Sequence, residues 1–145
     1  MRAFCARMGA TVPQRKALVL KASRILLSEK PLPERLQAFL EALLEGPFPI
    51  RSGKLYLRKG EGLRLVAQLG GEAGGEEVAL SLEGGGRALG RLSLRLAPAA
   101  SLAPEDRLAL EEAAGILALA LLRERAERAE RVLRRAGECA TQAAG

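Results

Sequence analysis

The sequence contains no histidine, no asparagine and no tryptophan, and Asp106 is its only aspartate. Histidine is the commonest general base and the commonest metal ligand in proteins. Its absence excludes Ser-His-Asp and Cys-His nucleophile systems within this chain, and a single aspartate excludes a metal site built from clustered aspartates. We therefore expect no enzyme: the composition predicts no catalytic residue, no cofactor-binding residue and no metal site.

Aromatic residues are almost as scarce, being limited to Phe4, Phe39, Phe48 and Tyr56. Proteins that read single-stranded nucleic acid usually stack bases on several aromatic side chains. The net charge of +6 over 145 residues could attract an acidic partner, but the basic residues are spread along the chain without a block of like charge. Nucleic acid is therefore an unfavoured partner, and a solvated basic surface is the simpler interpretation.

Cysteine is also scarce, and long apolar runs are missing. Cys5 and Cys139 lie near opposite ends and form no Cys-x-x-Cys motif, so they indicate reduced thiols without a zinc or redox role. The longest apolar run, residues 113–122, is well short of the roughly 20 residues of a membrane span, and the N-terminus lacks the apolar stretch of a signal peptide. We expect a cytoplasmic protein with no membrane partner, whose abundant arginine and glutamate resemble a thermophile's composition.

Three segments have helical signals. Thr11 and Gln14 have the spacing of a capping box, which predicts a helix from Val12 to Ser28. Pro33 is placed to open a second helix, and Pro104 opens a third that should end near Arg135. The chain is thus divided into a flexible N-terminus (1–11), one domain that includes a projecting C-terminal helix (12–135), and a frayed tail (136–145).

Between the second and third helices the hydrophobic period changes from 3.6 to 2. Leucines alternate with polar residues from Lys54 to Arg58, from Leu63 to Leu69, from Val78 to Leu82 and from Arg91 to Leu96, with glycine-containing turns between them. This alternation is typical of antiparallel strands with one buried face. It predicts that Leu63 and Leu65 are buried and that Arg64 faces solvent. The predicted fold class is α+β: an antiparallel sheet, helices packed on one face, and a long C-terminal helix.

Three stretches resemble the GAF domain, a sensory module of signalling proteins: KLYLRKGEGLRLVAQLG (54–70), GRALGRLSL (86–94) and LAPEDRLALEEAAGILALALLRERA (102–126). The resemblance implies a GAF-like fold and a regulatory role. The segment that usually follows the first hairpin of that family and covers a ligand pocket is reduced here to residues 70–77. No cysteine lies in the sheet to attach a chromophore, and the family's cyclic-nucleotide signature needs an asparagine, so no ligand site is carried over.

Two surfaces remain as candidates. Along the last helix an a/d heptad pattern predicts a parallel homodimer, with the interface formed by Leu119, Leu122, Ala126, Ala129 and Leu133. Glu124–Arg128, Glu127–Arg131 and Glu130–Arg134 have the spacing of supporting ion pairs. On the sheet, alternation opposite the leucines predicts a basic face for a partner protein, formed by Lys54, Arg58, Arg64, Arg91 and Arg95.

These features favour a non-catalytic GAF-like signalling or regulatory module that acts through dimerisation and contacts with a signalling protein. Two alternatives stay open at this point. One is a small-molecule sensor that uses a residual pocket between sheet and helices, and the other is a nucleic-acid-binding protein that uses the basic sheet face.

Overall fold

The computed structural model describes residues 10–71 and 74–144, with side chains described as far as residue 137. Cys5 and the side chain of Cys139 lie outside this described part. The elements follow one another as α1 (Val12–Leu26), α2 (Leu32–Glu45), β1 (Ile50–Lys59), β2 (Gly62–Leu69), β3 (Glu77–Gly84), β4 (Arg87–Leu96) and α3 (Pro104–Ala144). The predicted order of elements is therefore correct.

The capping box at the start of α1 is confirmed. The backbone N–H of Gln14 donates to Thr11 Oγ1 at 3.3 Å, and the backbone N–H of Thr11 donates to Gln14 Oε1 at 2.8 Å. The helix ends at Leu26, slightly before the predicted Ser28. Ala10, which belongs to the predicted flexible N-terminus, is 6% exposed and packs in the core.

The four strands form one antiparallel sheet in the order β2-β1-β4-β3. Gly85 and Gly86 connect β3 to β4 with positive φ angles of 60° and 74°, a backbone that glycine adopts without strain. Helix α2 packs on β1 and β2, whereas α3 packs on β3 and β4, and α1 packs on both helices. The core between them consists largely of leucine, including the fully buried Phe39, Leu40, Leu43, Leu55, Leu92, Leu94 and Leu110.

One irregularity of the sheet overturns a prediction. Leu55 pairs with Ala67 but the next residue, Tyr56, pairs with Leu65, so β2 contains an extra residue at Val66. Successive side chains of a strand alternate between the two faces of the sheet. One extra residue at Val66 therefore moves each of the preceding side chains of β2 to the opposite face from the one predicted. The prediction that Leu63 and Leu65 are buried is therefore wrong: they pair with outward-facing residues and are 52% and 42% exposed.

Helix α3 is longer than predicted. It contains 41 residues, which corresponds to about 62 Å at 1.5 Å per residue. The predicted end near Arg135 is wrong, because the helix continues to Ala144 through the residues expected to form a frayed tail. Its first half covers the sheet, with Leu110, Ala113 and Leu117 buried, and every described side chain from Arg128 to Gly137 is exposed.

The predicted fold class is confirmed: an antiparallel four-stranded sheet carries helices on one face, and the last helix is long. Strands β2 and β3 are joined only by residues 70–76. Within residues 10–71 and 74–144, no helix packs on the outer face of the sheet, the face that carries Lys54, Tyr56 and Ser93. The sheet is therefore open to solvent on that side.

Candidate functional site

The predicted seam of α3 lies mostly on the solvent side. Leu119 and Leu133 are 67% and 73% exposed, and Ala126 and Ala129 between them are exposed as well. Leu122 differs, since its side chain is partly buried against the domain's own core. The structure thus leaves two large apolar side chains of the seam, Leu119 and Leu133, uncovered, with two exposed alanines between them.

A shallow groove beside this seam adds more uncovered apolar surface. Val12 and Leu20 on α1 and Leu108 on α3 line it and are 53%, 58% and 63% exposed. Basic residues border the groove on α1 and acidic residues border it on α3, namely Arg15, Lys16, Glu105, Glu111 and Glu112. The hydrophobic pattern of a single helix could not reveal this groove, because its walls come from helices far apart in sequence.

The relative position of α1 and α3 is fixed by the only aspartate. Asp106 is 1% exposed and accepts hydrogen bonds from the backbone N–H of Ala10, at 3.2 Å and 3.3 Å to its two oxygens. Arg15 Nη1 lies 3.4 Å from Asp106 Oδ1. The carboxylate also lies in the first turn of α3, where the helix dipole stabilises a negative charge. The two helices that line the groove are therefore joined at one end by a buried charge.

A second connection holds α3 further along. Arg35 on α2 donates from Nη2 to Glu124 Oε2 at 3.1 Å, and its Nη1 donates to the carbonyl oxygen of Leu26 at 3.0 Å. The Arg35 and Glu124 side chains are only 12% and 19% exposed. Within the described part of the chain, this is the last ion pair that joins α3 to another element.

Because Glu124 is engaged by Arg35, the ion pairs along α3 differ from those predicted. Glu130 pairs with Arg134 at 3.2 Å, as expected. The predicted Glu124–Arg128 and Glu127–Arg131 pairs are not formed: Glu127 pairs with Arg123 at 3.0 Å, and Arg131 lies 3.8 Å from Glu124. Sequence spacing identified the charged surface but not the partners, since it could not include the arginine from α2.

On the outer face of the sheet the predicted basic cluster is altered in two ways. Arg64 pairs with Leu57, whose side chain packs against the core, so the Val66 bulge places Arg64 on the other face and its inclusion in the basic face is wrong. Lys54, Arg91 and Arg95 do lie on the outer face, beside Tyr56 and Ser93. Arg58 lies at the end of β1, where its Nε donates to the carbonyl oxygen of Gly60 at 3.2 Å.

The second alteration of the basic face is the presence of an acidic residue, which the sequence pattern did not assign to it. Glu77 accepts from Ser93 Oγ at 2.8 Å and forms ion pairs with Arg91 at 3.1 Å and Arg95 at 3.4 Å. The hydrogen bond from Ser93 is the main cause that holds the pKa of Glu77 below its usual value; desolvation opposes it, and the attraction of Arg95 and Arg91 adds to the lowering. One carboxylate thus offsets much of the charge expected on this face.

The same face forms a groove of about 690 Å³ next to the β2–β3 connection, lined among others by Lys54, Tyr56, Glu77 and Arg95. Within the described residues, no three cysteine, aspartate or glutamate side chains are arranged to hold a metal ion. No helix in that part of the chain is both long enough and apolar enough to cross a membrane.

No family model matches the chain, and no curated protein matches it. Solved structures do. The GAF domain of an Acinetobacter phosphoenolpyruvate-protein phosphotransferase superposes with a TM-score of 0.69 at 10% identity, over 81% of this chain and 97% of that one. The GAF domain of a putative sensor histidine kinase from Pseudomonas syringae pv. tomato gives 0.66 at 19% identity, over 81% and 93%.

A free methionine-R-sulfoxide reductase from Neisseria meningitidis is also similar, with a TM-score of 0.68 at 18% identity, over 81% of this chain and 95% of that one. GAF domains of other proteins and an enzyme therefore share this architecture. At such identities the likeness shows the fold alone, and it confirms the fold predicted from the sequence resemblance.

Proposed function

Because the chain has a GAF-like fold, we propose that it is a non-catalytic regulatory module of the cytoplasm, which acts as a homodimer and through contacts with a signalling protein. The observation that carries the proposal is the uncovered apolar side of α3. Leu119 and Leu133 are more than two-thirds exposed on a helix that extends past its last ion pair with another element. Exposed leucines at heptad spacing on a projecting helix are typical of a coiled-coil seam.

The groove between α1 and α3 favours a dimer interface of four helices, α1 and α3 from each copy, over one formed by the two α3 helices alone. Helices α1 and α3 are held side by side at Asp106 and expose Val12, Leu20 and Leu108 on the side that faces away from the sheet. A two-fold axis beside them would bury these side chains together with Leu119. It would also bring the basic border on α1 of one copy near the acidic border on α3 of the other, which favours association and fixes its register.

The non-catalytic part of the proposal rests on the absent residue types. The reductases of similar fold carry out redox chemistry, and cysteine thiolates are the groups that donate electrons in such protein chemistry. In this chain, residues 6–138 include no cysteine, so the sheet supplies none. We expect no methionine from incubation with free methionine-R-sulfoxide and dithiothreitol beyond the rate without protein. Turnover abolished by replacing either cysteine with serine would contradict this part.

Sedimentation equilibrium of the intact chain over a wide concentration range tests dimerisation directly. We expect a monomer–dimer equilibrium whose dimer mass is twice that of the 15.4 kDa chain. Because the centre of the proposed interface is apolar, high salt should weaken the dimer only modestly, by screening the charges at its border, whereas association through the charged sheet face would weaken strongly. A monomer at the highest concentration would contradict the proposal.

A second candidate function is small-molecule sensing in the groove on the outer sheet face. The groove of about 690 Å³ has a size suited to a small ligand, and Glu77, Ser93 and Arg95 form a polar cluster beside it. It lies on the open face, not between sheet and helices where a residual pocket was predicted. A rise in melting temperature with a cyclic nucleotide or a common metabolite, lost in Ser93→Ala, would favour this candidate.

The charges on the outer face of the sheet weaken the hypothesis that the protein binds nucleic acid. Arg64 lies on the other side of the sheet, and Glu77 pairs with Arg91 and Arg95. Fewer unpaired cations are therefore available to contact successive phosphates than the sequence suggested.

A further inference from the structure

Three arginines line a concave corner at one end of the sheet. Arg58, Arg87 and Arg125 surround a cavity of about 540 Å³, together with Gly60, Gly86 and Ala88. The residues that line it include no aspartate and no glutamate. This corner lies apart from the groove beside Glu77 and apart from the apolar groove between α1 and α3.

The fold brings the arginines together from three separate elements. Arg58 lies near the end of β1 and Arg87 begins β4, and these two strands are neighbours in the sheet. Helix α3 supplies Arg125, which follows Leu122 by almost one helical turn. The corner is therefore formed by two hairpin turns and one helix.

A glycine leaves room for a side chain of α3 at this end of the sheet. A Cβ atom on Gly84 would lie 2.5 Å from Leu122 Cδ1, a distance that real side chains do not reach. A larger residue at the end of β3 would force the Leu122 side chain to move, whereas glycine lets it lie against the hairpin. This contact places the following turn of α3, with Arg125, beside the hairpin end. In the adjacent turn, a Cβ atom on Gly86 would have no other atom within 4 Å, so the turn is not crowded on that side.

The charges of this corner are uncompensated. Arg35, Arg91 and Arg123 each have a carboxylate partner, whereas Arg58, Arg87 and Arg125 form no ion pair with any residue of the described ranges. The one hydrogen bond in the cluster, from Arg58 Nε to the Gly60 carbonyl oxygen, orients that side chain without neutralising it. Three like charges around one cavity repel each other, and a bound anion would remove the repulsion.

We propose that this corner binds a small anion that carries two or more phosphate groups, with inorganic pyrophosphate as the simplest example. A guanidinium presents a planar fork of N–H donors that matches phosphate oxygens in bidentate geometry. Three of them match the charge of a diphosphate better than that of a single carboxylate. The anion would bridge both hairpin ends to α3 and so hold the helix to the sheet at a point beyond Leu122.

Isothermal titration calorimetry with pyrophosphate, in a buffer free of phosphate and sulfate, tests the proposal on the full chain. We expect one saturable site per chain. Because hydrogen bonds to charged groups contribute most when both partners are ionised, Arg87→Gln and Arg125→Gln should each weaken binding by about tenfold or more. Arg24→Gln is the matched control, since it removes one exposed arginine of α1 that does not line the cavity.

The source of the diphosphate is distinguished by a parallel titration with ADP. Tighter binding of ADP than of pyrophosphate, with the same loss in Arg125→Gln, assigns the site to a nucleoside diphosphate, and equal or weaker binding assigns it to the free anion. Circular dichroism of each variant checks that it is folded. The proposal is overturned if pyrophosphate and ADP give no saturable heat at millimolar concentration, or if Arg24→Gln weakens binding as much as Arg125→Gln does.

Discussion

Replacing Leu119 and Leu133 together by glutamate should separate the dimer. Full burial of a leucine contributes about 1.5–3 kcal/mol, and these two side chains are 67% and 73% exposed in the single chain. Scaled by those fractions, each contributes about 1–2 kcal/mol on burial, and the four copies in a dimer contribute about 4–8 kcal/mol. Since 1.4 kcal/mol corresponds to a tenfold change, the dissociation constant should rise by at least about a thousandfold.

The glutamates add repulsion to this loss, because a two-fold axis places the same residue of both copies close together. Sedimentation equilibrium of the variant should therefore give a monomer at every accessible concentration. Far-ultraviolet circular dichroism should be unchanged, since both side chains are exposed and their removal leaves no cavity in the core.

The matched control is Leu63→Glu with Leu65→Glu, which makes the same two substitutions on the outer face of the sheet. These leucines are 52% and 42% exposed but lie on the face opposite the helices, so the dimer should persist with its dissociation constant unchanged. A helix variant that dimerises within tenfold of the natural chain would refute the reasoning. So would a control variant that dissociates, because it would place the interface on the sheet.

Three further outcomes are expected. Leu133→Cys, made in a variant in which Cys5 and Cys139 are replaced by serine, should form a disulfide-linked dimer on oxidation. A parallel seam brings the two copies of residue 133 together. A chain that stays monomeric on a non-reducing gel would contradict parallel packing. Ser93→Ala should raise the pKa of Glu77 toward 4.5 in an NMR titration, since the Ser93 hydrogen bond is the main cause of its lowering. Because the pKa of Glu77 is lower in the folded than in the unfolded protein, its contribution to stability is present above the unfolded-state pKa. That contribution is lost as the pH falls through the folded-state pKa. Asp106→Asn should lower the free energy of unfolding by about 1–3 kcal/mol in urea titration, because the buried Ala10 N–H loses a charged acceptor. The control Glu105→Gln, an exposed change in the same helical turn, should have little effect. An equal loss of stability in both variants would contradict the role given to Asp106.

The fold was largely predictable because its signals are local. The Thr11–Gln14 capping box and the alternation of leucines across four short strands depend on neighbours a few residues apart, and both are observed. The bulge at Val66 was not predictable in this way. Leu65, Val66 and Ala67 are all apolar, so the hydrophobic pattern has no break where the register shifts, and Arg64 was assigned to the wrong face.

The candidate surfaces were only partly predictable. Heptad spacing on one helix identifies Leu119 and Leu133, which are both exposed; their place in a dimer interface stays a prediction. The predicted end of α3 near Arg135 is too early because the hydrophobic pattern stops there, yet the alanines that follow have the highest helix propensity and the helix continues through Gly137. The Arg35–Glu124 pair and the arginine corner join residues from distant parts of the chain, and no local pattern encodes them.

Helix α3 has the proportions of a lever. It is held to the domain at Asp106 in its first turn, at the Gly84–Leu122 contact and at Glu124, and some 30 Å of helix follows that last point. A rigid rod of that length that tilts by about 10° moves its far end by about 5 Å, although the contacts at its base shift by far less. A repacking at Glu124 that tilted the helix by that angle would therefore displace its far end by a distance comparable with one helical turn.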